Sequence, residues 1–343
     1  MKLTNALGEE LPTVIFADKF YMTGEAVKNI ERFGKVIMVD CKTEDEMVKK
    51  IQEVKPKVII SEYFKISPPI MDSSPNLRGI VVWGVGYDHI DVNDASERGI
   101  LVANTRGSNA ESVAEHVFGL ILGLSRKLIQ TDIFVRNGSW VSREETGIPH
   151  ELIAEDLYGK TIGVVGLGAV GTRVARIGLG FGMRVLAYDP YINTKKAKER
   201  GAELANLEML LKESDYVTLH VVLNEETRGM ISKKELGLMK QNAYLINSSR
   251  GPVIDEEALI QVLKQKKISG AGLDVFAGEP IDPANPLLKL ENVIVSPHVA
   301  GNSQDALDAT SLVVSQETTR ILRDEIPKNL VNRQQLIEKG YMN

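Results

Sequence analysis

Between residues 12 and 104, short apolar runs recur at intervals long enough to hold a helix. Residues 14–16, 36–39, 58–60, 80–83 and 101–103 read as strands. Five such strands predict a small parallel sheet covered on both faces, a first α/β domain. Residues 108–128 break the alternation, because Val113, Val117, Leu120, Leu124 and Leu128 share one helical face and Ser108 or Asn109 can cap its start. This long helix reads as the connection into a second domain. Residues 136–156 are polar and irregular, with Gly138, Gly147 and Pro149, and predict a loop over a cleft or at a subunit contact. The alternation then resumes with strands at 162–165, 185–188, 216–221, 244–247, 272–275 and 293–296, separated by helical stretches such as 255–265. Six strands alternating with helices is the count expected of a dinucleotide-binding sheet. Residues 303–323 read as a last long helix. No repeat of about 20 to 50 residues and no low-complexity stretch interrupts this order.

The most specific local pattern follows the first strand of the second domain. The apolar run at 162–165 feeds into Gly166-Leu167-Gly168-Ala169-Val170-Gly171, and Val170, Val174 and Ile177 then repeat at helical spacing. Gly166 suits the tight turn, Gly168 leaves room for backbone to approach a pyrophosphate, and Gly171 allows close packing of helix on strand. The free N–H groups of the helix start, among them those of Ala169 and Val170, favour phosphate. Asp189 ends the next strand, 18 residues after Gly171, where a carboxylate accepts from ribose hydroxyls and repels a 2′-phosphate. The reading is therefore NAD, not NADP.

Composition narrows the class. Of 343 residues, 43% are apolar and 25% charged, enough for two cored domains. The formal charge of −5 gives no reason to expect nucleic acid or an anionic membrane as partner. The single cysteine, Cys41, excludes an internal disulfide and suits a reducing compartment. The first ten residues place acids where a signal peptide needs its apolar centre, and no segment approaches the apolar length of a membrane span, so a cytoplasmic protein is expected.

Ligands of an open parallel sheet bind beyond the carboxyl ends of its strands, so the residues there are the candidates for chemistry. In the first domain a strand runs into Trp83-Gly84-Val85-Gly86, which can turn the N–H groups around Val85 and Gly86 inward as a nest for a carboxylate, or can be a plain βα turn. In the second domain, strands run into Asn247-Ser248-Ser249-Arg250, into Asp274 to Glu279, and into Ser296-Pro297-His298. His220, Ser248 and Asp274 are expected along the cofactor groove. Arg250 offers a planar fork for the carboxylate and carbonyl of a 2-oxo acid. The His298 imidazole, of a type with a reference pKa of about 6.5, suits proton transfer to and from the carbonyl oxygen. Glu279 suits the other ring nitrogen, fixing the tautomer. Singly, each reads better as a surface arginine, a solvated loop acid or a loop histidine; together, on the edge where a nicotinamide would lie, they make a catalytic trio. His89 and His150 fall in loops and His116 in a helix, and no metal-binding pattern is present, so no metal is expected.

These motifs resemble the D-isomer-specific 2-hydroxy-acid dehydrogenase family over residues 58–331. Gly84 to Asp88 resembles its carboxylate-binding loop, Gly166 to Gly171 with Asp189 its NAD fingerprint, and Arg250, Glu279 and His298 its catalytic trio. The resemblance implies two doubly wound α/β domains: a flavodoxin-like substrate domain from residues 1–104 and 301–343, with a Rossmann NAD-binding domain, 105–300, inserted into it. It also implies homodimers, and closure of the lobes about hinges near Asn104 and Gly301.

Substrate choice rests on departures from relatives within that family. Formate dehydrogenases resemble the run Ser112 to His116 but have glutamine at the position of Glu279, which argues here for proton-transfer chemistry. Phosphoglycerate dehydrogenases resemble Asn109 to Glu115 but place arginine and serine where this chain has Ser61-Glu62-Tyr63, and a glutamate suits a phosphate poorly. The sequence also ends too early for their extra regulatory domain, which is therefore not expected here. A small unphosphorylated acid such as glyoxylate, hydroxypyruvate or glycerate is expected, with D-3-phosphoglycerate as the alternative. From another class, the family's NAD-sensing corepressors share the trio.

Overall fold

The computed structural model describes residues 10–141 and 147–342. The start of the chain, read above as lacking a signal peptide, and residues 142–146 of the expected loop lie outside the described residues. The chain divides into two compact units, Met1–Asn109 with Ser303–Asn343, and Ala110–Asn302.

The first unit is built on strands β1 (Thr13–Phe16), β2 (Lys35–Met38), β3 (Val58–Ser61), β4 (Gly79–Val82) and β5 (Leu101–Ala103). All pair parallel, in the order β2-β1-β3-β4-β5, the flavodoxin-like arrangement. Side chains alternate across the sheet. Val14, Phe16, Val58, Ile60 and Val81 enter one buried cluster, and Ile15, Ile59, Ile80, Val82 and Val102 the other. Helices start where the sequence supplies a cap: Thr23, Thr43, Asp91 and Ser303 each accept a first-turn N–H. The Gln304–Leu322 helix packs on β3 and β4.

The chain's last segment returns to β5. Asn332 is fully buried; its Oδ1 accepts from Val102 N, and its Nδ2 donates to Ser96 Oγ and Ile100 O at 2.9–3.0 Å. One side chain thus satisfies three buried groups on the far edge of the sheet.

The second unit adds β6 (Thr161–Val165), β7 (Arg184–Tyr188), β8 (Glu203–Leu204), β9 (Tyr216–Leu219), β10 (Tyr244–Asn247), β11 (Gly270–Leu273) and β12 (Val293–Val295). The order is β12-β11-β10-β9-β6-β7-β8, all parallel. The sheet has seven strands where six were expected: β8 is two residues long and half polar, too short for a periodicity to register. The helix expected over 108–128 is Ala110–Ser125, interrupted where Lys127 takes φ +54° before a second helix, Leu128–Arg136. Among the described residues, no helix is long and apolar enough to cross a membrane.

Asn332→Ala should lower unfolding free energy by about 2–3 kcal/mol, because it leaves the Val102 N–H and Ile100 carbonyl buried without partners. Urea denaturation would show this as a lower midpoint at an unchanged slope.

Candidate active site

In the second unit, the strand order reverses between β6 and β9, which is where an open parallel sheet leaves a crevice at its carboxyl edge. The glycine turn stands there. Gly166 has φ +91°, and a Cβ on it would sit 2.7 Å from His220 O; one on Gly171 would sit 2.0 Å from Gly166 O. Neither position tolerates a side chain. Gly168 differs, since no atom lies within 4 Å of where its Cβ would stand. That open space, at the start of the Ala169–Gly180 helix, is what a phosphate needs.

Asp189 is held at the end of β7 by two backbone donors, Leu167 N to Oδ2 at 3.0 Å and Tyr191 N to Oδ1 at 2.9 Å. Each oxygen keeps an acceptor position for a ribose hydroxyl. Beyond β9 and β10, His220 Nε2 and Ser248 Oγ are buried with no hydrogen-bond partner in the protein. Burial lowers the His220 pKa to about 3, so the ring is neutral at physiological pH. Native proteins rarely leave such atoms unsatisfied, and a dinucleotide laid along the strand ends would supply partners. The residues present therefore fit the cofactor.

The trio comes together on the same edge. Asn247, at the end of β10, fixes the following turn: its Oδ1 accepts from Ser249 N and Oγ, and its Nδ2 donates to Arg250 O. Glu279 Oε1 accepts from Phe276 N at 3.0 Å, and its Oε2 lies 2.6 Å from His298 Nδ1. A carboxylate there can only accept, so Nδ1 carries a proton and Nε2 is the nitrogen left to give or take one. Burial would raise the Glu279 carboxyl; hydrogen bonds from His298 and the Phe276 N–H, with the positive charges of His298 and Arg250, outweigh it and hold the pKa below the usual value. Arg250 is thus close enough to act on Glu279 electrostatically.

His298 itself has φ +54°, an unusual conformation for a residue with a Cβ. Asp274 holds it so. This carboxylate is fully buried, and it accepts from Ser296 Oγ at 2.6 Å and from the N–H groups of Val299 and Ala300 at 2.9 Å, while its carbonyl accepts from His298 N. His116 Nε2 lies 2.9 Å from Ser296 Oγ; with that hydroxyl donating to Asp274, His116 is the donor. No local sequence pattern places His116 at this loop, since Ser296 lies 180 residues away. Glu256 was also missed: its carboxylate accepts from Ala277 N and Asn285 Nδ2, bracing the loop that bears Glu279.

In the first unit, Gly84 (φ +140°), Val85 and Gly86 follow β4. The Gly84 carbonyl accepts from Thr105 N and the Val85 carbonyl from Asn104 Nδ2 at 2.7 Å. Because a trans peptide sets N–H opposite C=O, the N–H groups of Val85 and Gly86 are turned away from Asn104 and Thr105. No group of three or more His, Cys, Asp or Glu side chains suited to a metal occurs among the described residues.

A sheet of this order, with a glycine turn at its reversal point and an acid ending the next strand, defines a dinucleotide-binding α/β protein. The comparisons are more specific. The family described as "D-isomer specific 2-hydroxyacid dehydrogenase, NAD binding domain" matches residues 118–300. The chain is 44% identical to a glyoxylate reductase of Korarchaeum cryptofilum over 269 residues, 78% of this chain and 80% of that one. It is 38% identical to a D-3-phosphoglycerate dehydrogenase of Methanocaldococcus jannaschii over 90% of this chain but only 57% of that longer one. Among solved structures, a D-lactate dehydrogenase of Aquifex aeolicus complexed with NAD and lactic acid superposes with a TM-score of 0.81 at 31% identity, covering 93% and 99% of the two chains. The chain belongs to the D-isomer specific 2-hydroxyacid dehydrogenase family, and it is an NAD-dependent oxidoreductase of 2-hydroxy acids.

The depressed Glu279 pKa sets a pH dependence. The group stabilises the fold above its unfolded value of 4.5, and that contribution is lost as pH falls through the lower folded value. Glu279→Gln should therefore melt below the wild type near neutral pH, with the gap closing as pH is lowered past 4.5; thermal melts of both proteins across this range check it.

Proposed function

We propose that this enzyme interconverts a small unphosphorylated 2-oxo acid and its D-2-hydroxy acid, with glyoxylate or hydroxypyruvate as the preferred oxo acid. Bound NADH supplies the hydride. The observation that supports the reading best is the 2.6 Å contact of His298 Nδ1 with Glu279, which leaves Nε2 as the proton donor and acceptor. In reduction, Nε2 gives its proton to the carbonyl oxygen, and in oxidation it takes the hydroxyl proton. The Glu279 carboxylate stabilises the charged ring between these events. Arg250 orients the substrate carboxylate and polarises its carbonyl, and in the first unit the Val85 and Gly86 N–H groups form a nest suited to a carboxylate.

Residues 1–104 and 301–343 act as the substrate domain and residues 105–300 as the NAD domain. Gly166 to Gly171 would hold the pyrophosphate of the cofactor, Asp189 its ribose, and His220, Ser248 and Asp274 its nicotinamide end. The glyoxylate reductase similarity and Glu62 after β3 support an unphosphorylated substrate. D-3-phosphoglycerate is the second reading, supported by the 38% identity to a phosphoglycerate dehydrogenase.

We further place the enzyme in the cytoplasm, as the free thiol of Cys41 supports, and assign it a homodimer. The Leu128–Arg136 helix has no buried residue, and Leu128, Ile129, Ile133 and Val135 are all exposed, with Trp140 and Val141 just beyond. An exposed helix this rich in large apolar side chains suits burial against a second copy.

Loss of NADH absorbance should be fast with glyoxylate or hydroxypyruvate and slow with 3-phosphohydroxypyruvate; the opposite ranking would select the phosphoglycerate reading. His298→Ala should cut turnover by roughly 10²- to 10⁴-fold with NADH still bound. In the wild type, reduction should fall and oxidation rise with pH, and profiles flat in both directions would remove His298 from proton transfer. Sedimentation velocity should find a dimer that Ile133→Glu weakens; a monomeric wild type would end the dimer assignment.

A further inference from the structure

The adenosine end of the site holds a charge of the opposite sign to Asp189. Leu167, between the first two glycines of the turn, donates its N–H to Asp189 Oδ2 at 3.0 Å. Its carbonyl accepts from Nη1 of Arg200, which lies just past the Thr194–Glu199 helix. A carboxylate and a guanidinium therefore flank one residue of the phosphate-binding turn. They do not neutralise each other: among the described residues, Arg200 takes part in no ion pair, its only side-chain bond being to that neutral carbonyl. Most of its N–H donors remain for another acceptor. The helix leading to it adds exposed Lys195, Lys196 and Lys198 against one acid, Glu199, so the helix itself carries net positive charge.

We propose that Arg200 is a second specificity residue for the cofactor, placed to bind a phosphate on the adenosine 2′-oxygen. Asp189 accepts from a free 2′-hydroxyl and repels a 2′-phosphate; Arg200 attracts that phosphate. The preference for NAD is then the outcome of two opposed groups, with Asp189 prevailing over Arg200. Removing Asp189 exposes a site ready for NADP instead of one that has merely lost its ribose ligand. Arg200 takes no part in hydride or proton transfer.

The inference rests on reading Gly166 to Gly171 and Asp189 as the adenosine and pyrophosphate site, and the test separates the two. Isothermal titration calorimetry compares 5′-AMP with adenosine 2′,5′-bisphosphate, which differ only in the 2′-phosphate. The wild type should bind AMP more tightly. Asp189→Ala should shift the ratio of the two affinities toward the bisphosphate by about 10- to 100-fold, the range of a hydrogen bond to a charged group. Adding Arg200→Met should abolish that shift, and Arg200→Lys, which keeps a cation without the fork, should retain part of it. Arg200→Met alone should move the ratio further toward AMP. If Arg200→Met weakens both ligands alike, Arg200 only braces the Leu167 turn and the proposal fails. If Asp189→Ala with Arg200→Met keeps the full shift, the proposal fails as well. Failure of the wild type to bind either nucleotide would overturn both the proposal and the reading of the nucleotide site.

Discussion

A buried carboxylate organises the reactive edge of this enzyme. Asp274 leaves β11 with no exposed surface, and it binds the three residues around His298 through two backbone N–H groups and the Ser296 hydroxyl. Neutral donors compensate its charge, which is the condition for burying a carboxylate at acceptable cost. The left-handed backbone of His298 costs on the order of 1 kcal/mol or more, and those bonds hold it in place. With the backbone turned this way, the imidazole meets Glu279 from the neighbouring loop.

The same logic of fixed backbone and spare acceptor or donor capacity recurs at the nucleotide end. Asp189 is oriented by two N–H groups and still has lone pairs for a ribose, Gly168 opens onto empty space, and His220 and Ser248 keep buried polar atoms without protein partners. These atoms lower the stability of the protein alone and make it complementary to something polar and extended. The first unit treats its own strand end alike, because Asn104 and Thr105 occupy the carbonyls of Gly84 and Val85 and set the opposite N–H groups apart from them.

Much of this was legible in the chain. Parallel strands buried on both faces are continuous apolar runs, so most strand positions could be read directly. The glycine turn and Asp189 have steric and electrostatic requirements that few residue types meet, and Arg250, Glu279 and His298 could be listed because each follows a strand. What could not be read was anything depending on a partner distant in sequence. His116 and Ser296 lie 180 residues apart and meet only when the Ala110–Ser125 helix packs against the sheet. Glu256 looks like an ordinary acid of a helix start until the loop after β11 folds over it.

The sequence by itself determined the periodicities, the positions of the strands and the chemistry available at their ends, because those depend on neighbours a few residues away. Only the tertiary structure decided the strand order, the seventh strand, the pairing of His298 with Glu279, the Asp274 anchor and the meeting of Asp189 and Arg200 at Leu167. Each of these depends on which loops the sheet brings side by side, and that is settled by how whole helices and strands bury their apolar faces together.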